Sequence, residues 1–258
     1  MEHNFNERGI LAMDVLDHGF VALRNVAGPT RRTFDSTVTS SEAHHTVRRF
    51  DADDIDPANA ARMSFDMTDK DRTREADLKL CDYLMRNRHT TPFEMIEVWL
   101  EMKLPIFVAR QFVRHRTVTI NEVSGRYVTL PAEWYVPQVV GGKPPHAKQG
   151  QVDTLPEELQ AAFRADLEDD CQRSYRRYLT HIQAGVAAEH ARMLLHLNHY
   201  THWLWKQDLH NIFHFLSLRD HSHAQVEARA YAYAVDTLIR VALPECMALY
   251  DKWRKQPT

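Results

Sequence analysis

The chain has little glycine, with only 8 such residues among 258. None of them forms a Gly-x-Gly-x-x-Gly or a Walker-type loop. Both loops hold a phosphate against the N-terminus of a helix, so their absence excludes a Rossmann turn and a P-loop. A dinucleotide that binds this chain must therefore be held by residues from separate segments.

Cysteine is also sparse. Cys81, Cys171 and Cys246 lie far apart, and no Cys-x-x-Cys pair occurs. This pattern excludes a zinc ribbon and a thioredoxin-like dithiol, and it is typical of a reducing compartment, so we expect a cytoplasmic location. Residues 1–14 contain no apolar signal core, and no stretch approaches the roughly 20 apolar residues of a membrane span. No membrane partner is therefore expected.

Neither sign of charge dominates, because the formal net charge is −3 and the pI is about 6.6. Nucleic-acid-binding domains usually carry a strongly basic face, so the composition argues against a nucleic-acid partner. Hydrophobic residues make up 44% of the chain, which is enough to bury a large core. We expect a single domain over residues 1–258.

What the chain does contain is one dense group of charged and polar side chains. Arg114-His115-Arg116 is followed, after seven residues, by Ser124, within the run Asn121–Tyr127. Guanidinium groups bind phosphate and carboxylate oxygens in a bidentate way, so this density suits a site that holds anions around a reaction. The alternative is a solvated basic helix end, which would not need the carboxylate of Glu122 or the hydroxyl of Ser124.

The local structure around this group follows from residue type. Pro105 can start a helix, and the apolar spacing after it predicts that Gln111, Arg114 and His115 share one helix face. The residues Thr117–Ile120 are mostly β-branched, which disfavours continuing the helix. We expect a helix end that delivers charged side chains into an extended segment.

Hydrophobic periodicity and turn residues predict the remaining elements. Residues 1–13 are expected to be a flexible lead-in, and residues 30–56 an insertion or long loop, with a helix opening at Pro57. Strands are predicted at Val15–Val26, Phe93–Leu104 and His196–Trp205; helices at Arg74–Arg88, from Thr154 to Ile182, and at Ala187–Leu194, Leu209–Leu218, His223–Arg240 and Cys246–Trp253; a turn at His89–Glu94; and a loop at Gly141–Pro145.

Sixteen histidines suggest a metal hydrolase as one alternative function. His210 and His214 have the i, i+4 spacing of a helical metal pair, but Asn211 stands where a metalloprotease motif has glutamate. No third ligand is indicated by spacing, so no metal site is assigned. A second alternative is a phosphate- or RNA-binding module built on Arg114, Arg116 and Arg126.

Arg-His-Arg, seven residues and then serine resembles the signature of the flavin-dependent thymidylate synthases. The longer form Asn-Glu-x-Ser-Gly-Arg-Tyr matches Asn121–Tyr127. Met95 stands where many members have a second histidine, and His214 where some have asparagine. Further segments resemble the family's blocks in order: Ala61–Phe65, His89–Glu94, Ala191-Arg192, Asp208–Asn211, Leu218-Arg219 and Ser222–Gln225.

The resemblance implies a mixed α/β (α+β) fold with a central β-sheet flanked by helices, and a homotetramer with shared active sites. It implies conversion of dUMP to dTMP, with methylenetetrahydrofolate as carbon donor and NADPH reducing a bound FAD. A flavin meets a chemical need, because the transferred methylene must be reduced and no protein side chain donates hydride. No cysteine nucleophile is expected.

The resemblance also implies residue roles. Arg219 and Ser124 are expected at the reaction itself, with Arg219 polarising the uracil ring near N3, because a fixed cation stabilises developing negative charge. The expected FAD contacts are Ser64, His89, Thr91, Arg114, His115, Arg116, Thr117, Asp208, His210 and His214. The expected dUMP contacts are Gln111, Arg114, Glu122, Val123, Ser124, Gly125, Arg126, Arg192 and Arg219.

Overall fold

The computed structural model of the chain describes residues 4–5, 11–29, 51–65, 72–144 and 152–255. Its strands are β1 (Asn4–Phe5), β2 (Leu11–Val15), β3 (Gly19–Ala27), β4 (Glu97–Pro105), β5 (Thr119–Glu122), β6 (Gly141–Gly142), β7 (Val152–Thr154) and β8 (Tyr200–Asp208). Its helices are α1 (Asp56–Arg62), α2 (Arg74–Arg86), α3 (Thr91–Glu94), α4 (Ile106–Phe112), α5 (Glu157–Gln183), α6 (Ala188–Ala191), α7 (Leu209–Arg219), α8 (Val226–Ala242) and α9 (Pro244–Trp253), with 3-10 turns at Met63–Phe65 and Arg192–Leu194.

A six-stranded sheet of order β1-β2-β3-β4-β8-β5 forms the centre of the fold. Every pairing between its strands is antiparallel; Leu100 of β4, for example, pairs with Leu23 of β3 and with Trp205 of β8. A mixed fold with a central sheet is therefore confirmed, and the antiparallel pairing places it in the α+β class.

Side chains alternate between the two faces of this sheet, as the period of two residues in a strand requires. Along β4, Val98, Leu100 and Met102 are buried, while Trp99 and Glu101 between them are partly exposed. Helices α4, α7 and α8 pack on the buried face, and their aromatic side chains fill the core. Burying one such large apolar side chain stabilises the fold by about 1.5–3 kcal/mol.

The N-terminal segment is more ordered than its composition indicates. Leu11–Met13, expected in a flexible lead-in, belong to strand β2, and the single strand predicted over Val15–Val26 is a hairpin of β2 and β3. Gly19 begins β3 where a Cβ atom would lie 2.0 Å from the Tyr231 hydroxyl, so a side chain at this position would clash. The predicted loop over residues 30–56 lies outside the described residues up to position 50.

The end of that predicted loop is structured. Asp51 forms a bridge with Ala27, Asp54 is buried, and α1 begins at Asp56 with Pro57 in its first turn, as predicted. The proline of the expected turn at His89–Glu94 likewise occupies the first turn of a short helix, α3. Proline is tolerated there because the first N–H groups of a helix have no partner within it.

Helix α4 ends earlier than the sequence predicts, at Phe112, so Arg114 and His115 lie beyond it. The prediction that Gln111, Arg114 and His115 share a helix face is wrong. A longer helix would need the His115 N–H to bond the Gln111 carbonyl. Instead the His115 N–H bonds the Phe112 carbonyl at 3.0 Å, and the Gln111 carbonyl accepts from Arg219 at 3.0 Å.

The long helix α5 is present, but its predicted start signal at Thr154 is wrong, because Thr154 lies in β7 and Pro156 precedes the helix. Gly141-Gly142, expected in a loop, pairs with β7. Apolar side chains of α5 differ in exposure, since Cys171 is buried while Phe163 is exposed.

Helices α7, α8 and α9 occur where predicted to within a few residues, including the break before Pro244. Strand β8 begins at Tyr200 rather than His196 and continues to Asp208. No helix among the described residues is both long enough and apolar enough to cross a membrane.

Candidate active site

Three helix ends meet around Arg219, the last residue of α7. Its Nε donates to Nε2 of His115 at 3.0 Å, and its NH2 donates to the backbone carbonyl of Gln111 at 3.0 Å. Its NH1 lies 3.5 Å from Oε1 of Gln111, whose Nε2 donates to Gln225 just before α8. We call Gln111, His115, Arg219 and Gln225 the Arg219 cluster.

Arg219 completes the C-terminal end of α4. The last carbonyls of a helix have no partner within it, and a cation near them also favours the helix dipole. Burial lowers the pKa of Arg219 from its ordinary value, yet a guanidinium remains charged at neutral pH. The charge is thus held in place by a backbone carbonyl and a neutral ring rather than by a carboxylate.

His115 is buried and uncharged in this arrangement. An arginine N–H can only donate, so Nε2 of His115 must be the accepting nitrogen of a neutral imidazole. Burial lowers the pKa of His115 to about 4, and the positive charge of Arg219 and the neighbouring His214 act in the same direction. The ring packs edge-on against Phe215, with 5.0 Å between centroids.

The two arginines that flank His115 are available to a ligand. Arg114 and Arg116 are exposed, and neither forms an ion pair with a carboxylate of the described residues. Next to them, the Thr117 hydroxyl accepts from Nε2 of buried Gln207 at 2.7 Å, which leaves the hydroxyl proton free to donate. Two exposed cations beside a hydroxyl donor fit the diphosphate of a dinucleotide such as FAD.

A second group of expected residues lies around the turn after β5. The Ser124 hydroxyl accepts from the Arg126 backbone N–H at 3.2 Å, and the Arg126 side chain pairs with Glu189 at 3.3 Å. A Cβ on Gly125 would meet the Arg192 side chain at 3.3 Å and Leu130 at 3.0 Å, so glycine allows Arg192 to approach the turn. We call Glu122–Arg126 together with Arg192 the 122–126 cluster.

Strand β8 of the sheet positions the carboxylate of Glu122. Oε1 of Glu122 accepts from the hydroxyl of Thr201 on β8, and the Val123 N–H bonds the carbonyl of His202 at 2.8 Å. A cleft of about 640 Å³ opens beside this edge, on the exposed face of the sheet. It is lined by Arg24, Asn25, Trp99, Glu101, Asn121, Glu122, Val123, His202, Trp203 and Leu204.

A capping aspartate explains why α7 begins at Leu209. Asp208 caps the helix, because its carboxylate accepts from the Asn211 backbone N–H at 2.9 Å and from the Asn211 side chain at 2.8 Å. His210, in the first turn, is half-buried, and burial lowers its pKa, while His214, one turn later, is exposed. No group of three or more potential metal ligands occurs within the described ranges.

The three remaining expected FAD contacts lie at exposed positions near α1 and α3. Ser64 follows α1, Thr91 begins α3, and His89 packs edge-on against Tyr83 at 5.9 Å. Among the described residues, no hydrogen bond or ion pair links these positions, or the 122–126 cluster, to the Arg219 cluster. Within one copy of the chain, these groups are therefore not joined by direct polar contacts among the described residues.

Three residues in these contacts were not expected from the sequence. Thr201 and Gln207 lie on the buried face of β8, where polar side chains among tryptophans are the signal that could have indicated them. Gln225 ends the segment Ser222–Gln225, which matched the family pattern without receiving a role.

Comparisons with known proteins agree with the sequence pattern. The profile of one protein family, described as thymidylate synthase complementing protein, matches residues 46–245. A flavin-dependent thymidylate synthase of Thermus thermophilus is 40% identical over 244 residues, covering 95% of this chain and 80% of the relative. The Treponema denticola protein of the same name is 37% identical over 245 residues, covering 93% and 82%.

Similar solved structures include the UMP/dUMP methylase PolB from Streptomyces cacaoi, bound with 5-Br dUMP. It is 25% identical, with a TM-score of 0.75, and the match covers 94% of this chain and 99% of PolB. The same protein bound with 5-Br UMP matches with a TM-score of 0.75 at 22% identity.

Proposed function

This chain belongs to the flavin-dependent thymidylate synthase family, and we propose that it methylates dUMP to dTMP at a site completed by neighbouring subunits. Methylenetetrahydrofolate is the proposed carbon donor, and NADPH the proposed reductant of bound FAD. The observation that carries the proposal is the Arg219 cluster, in which a half-buried guanidinium is held by a neutral histidine and a helix-end carbonyl.

The Arg219 cluster suits a pyrimidine ring that must accept negative charge. His115 and Gln111 use the Nε edge and part of the fork of Arg219, and the remaining N–H groups are free to donate to a ring oxygen or nitrogen. Because no carboxylate of the described residues pairs with this guanidinium, we expect its charge to stabilise electron density that develops on the uracil ring near N3.

A flavin fits the residues next to this cluster. Arg114, Arg116 and Thr117 would hold its diphosphate, with His115 and the residues at the start of α7 on the same side of the fold. Ser64, His89, Thr91, His210 and His214 are the other proposed contacts. When bound, the flavin supplies the hydride that reduces the transferred methylene to a methyl group.

The 122–126 cluster suits the nucleotide itself. Arg126 and Arg192 supply charged donors for the phosphate, and Ser124 presents a hydroxyl beside them. The Arg126 pair with Glu189 is exposed and spans 3.3 Å, so it contributes little stability and can be exchanged for a phosphate contact.

Assembly of several copies would bring the separated parts of the site together. The Arg219 cluster and the 122–126 cluster share no hydrogen bond or ion pair between described residues. Large apolar side chains also remain exposed on a single copy, among them Phe65, Phe163 and Leu197. We infer a homotetramer in which each site combines the two clusters from different subunits.

The decisive experiment combines three measurements on one preparation. We expect a visible flavin absorption spectrum from purified protein, elution as a tetramer in size-exclusion chromatography, and dTMP formation that requires dUMP, folate and NADPH. UMP offered in place of dUMP tests whether the ribose hydroxyl is tolerated. A colourless monomer that neither takes up added FAD nor makes dTMP would overturn the proposal.

A further inference from the structure

Gln225 directly precedes helix α8, yet its side chain does not cap that helix. Its backbone carbonyl accepts the Arg229 N–H at 2.9 Å, which begins the helical bonding, and no side-chain capping bond forms. The exposed side chain instead reaches helix α4, where its Oε1 accepts a 2.5 Å hydrogen bond from Nε2 of Gln111. The side chain of Gln225 therefore bonds Gln111 instead of capping helix α8, which begins with backbone hydrogen bonds alone.

Arg219 determines which way the Gln111 amide points, and the contact with Gln225 matches that orientation. Arg219 can only donate, and its NH1 lies 3.5 Å from the Gln111 side chain, so the amide oxygen must face Arg219. The amide nitrogen then faces Gln225, whose oxygen accepts it. In the reverse orientation two donors would oppose each other at Arg219. At 3.5 Å the contact with Arg219 is long, so the shorter bond to Gln225 helps to hold the amide in the orientation that Arg219 selects.

We propose that Gln225 is a positioning residue for dUMP binding that acts through Gln111. The inference rests on the proposed function, in which Gln111 contacts the nucleotide. With its oxygen held toward Arg219 and one N–H bonded to Gln225, the Gln111 amide keeps a single free N–H in a fixed direction. Without Gln225 the Gln111 amide can rotate. Fixing its orientation on binding then costs free energy, which lowers the affinity for dUMP.

The exposure of Gln225 makes this proposal testable without disturbing the core. Methionine matches glutamine in length and forms no comparable hydrogen bond, so Gln225→Met removes the contact alone. We expect dUMP affinity to fall about three- to tenfold, as for the loss of one neutral hydrogen bond. Bound FAD per chain and the thermal midpoint should stay at wild-type values.

A double-mutant cycle separates an effect through Gln111 from a direct one. In a Gln111→Met background the Gln225→Met change should have no further effect on dUMP affinity measured by calorimetric titration, because its contact with Gln111 is already lost. Gln172→Met is the matched control, since Gln172 is exposed on α5 and bonds Glu168 at 2.7 Å. It should bind dUMP as the wild type does.

Two results would overturn this inference while leaving the proposed function intact. The first is wild-type dUMP affinity in Gln225→Met, and the second is an undiminished loss in the Gln111→Met background. Failure of the wild-type protein itself to bind FAD and dUMP would instead reject the proposed function, and the role of Gln225 with it.

Discussion

The Nε atom of Arg219 donates a 3.0 Å hydrogen bond to Nε2 of His115, a residue 104 positions earlier in the chain. The bond requires a neutral histidine, and the same guanidinium replaces the backbone N–H that would otherwise continue helix α4. One side chain thus caps the end of a helix, selects a tautomer and presents a positive charge to the proposed nucleotide site.

Replacing Arg219 with lysine tests this geometry, because lysine keeps the charge and loses the planar fork. An ammonium cannot serve His115 and the Gln111 carbonyl while still reaching a substrate. We expect a folded, flavin-loaded Arg219→Lys protein whose turnover falls at least about tenfold. Steady-state dTMP formation normalised to bound FAD is the measurement, and near wild-type turnover would show that charge alone suffices.

Removing an arginine of the 122–126 cluster should affect the nucleotide rather than the flavin. In Arg126→Ala or Arg192→Ala, the loss of one charged hydrogen-bonding partner should weaken dUMP binding by about 1.5–3 kcal/mol. FAD binding should change little, and calorimetric titration with each ligand separates the two. Arg173→Ala is a suitable control, because Arg173 is an exposed arginine of α5 paired with Asp169 and Asp170. Unchanged dUMP affinity in both cluster variants would place the phosphate elsewhere.

The cysteines should be dispensable for the reaction. All three are buried, and burial raises the pKa of Cys81 to about 12 and the pKa values of Cys171 and Cys246 above their ordinary value. A protonated, buried thiol is a poor nucleophile. We expect a variant with all three changed to alanine to make dTMP at a normal rate per bound FAD, with reduced stability from lost packing.

Variants with a single cysteine replaced show whether any one cysteine is needed for the reaction. Cys81 and Cys246 are completely buried and lie 3.5 Å from the carbonyl oxygen of Asp54, whereas Cys171 is slightly exposed and contacts the Asn198 side chain. Replacing Cys81 or Cys246 should therefore lower the unfolding midpoint more than replacing Cys171. A folded, flavin-loaded single variant without activity, together with a dUMP adduct on that cysteine in the wild type, would refute the hydride mechanism.

The burial of His199 predicts that the stability of the fold depends on pH, independently of the proposed active site. It is buried, its Nε2 has no hydrogen-bond partner among the described residues, and burial lowers its pKa from 6.5 to about 4. Between these two pH values the unfolded chain binds more protons than the folded one. The folded state therefore loses stability as the pH falls from 6.5 toward 4, and the contribution is complete above pH 6.5.

The His199→Phe and His199→Gln variants test this point, because neither side chain ionises. From about pH 7 to pH 5, the wild-type free energy of unfolding should fall by about 2 kcal/mol more than that of either variant. Urea unfolding at the two pH values gives the difference, whatever the stability of each variant at neutral pH. Equal slopes for all three proteins would mean that His199 is protonated or solvated in the folded state.

Local residue pattern was sufficient for much of this fold. The spacing of apolar residues indicated α2, α5, α7 and α8, and proline marked the starts of α1, α4 and α9. These features depend on neighbours within a turn or two of helix, which any window of sequence contains. The family pattern over Arg114–Tyr127 likewise predicts which residues form the site.

Tertiary packing decided what local pattern could not. Helix α4 ends at Phe112, and Arg219 bonds the Gln111 carbonyl in its last turn; no property of residues 106–116 encodes that distant donor. The need for glycine at position 19 comes partly from the Tyr231 hydroxyl, and Glu122 is bonded by Thr201, each a contact between segments far apart in the chain.

By itself, then, the sequence determined the types of element, the family and the chemistry that its charged residues can perform. The tertiary structure alone decided that His115 is neutral, that Gln111 faces Arg219, and that Arg126 pairs with Glu189. The reason is physical: desolvation, tautomer and amide orientation depend on which groups the folded chain brings together, and these partners here lie about 100 positions apart.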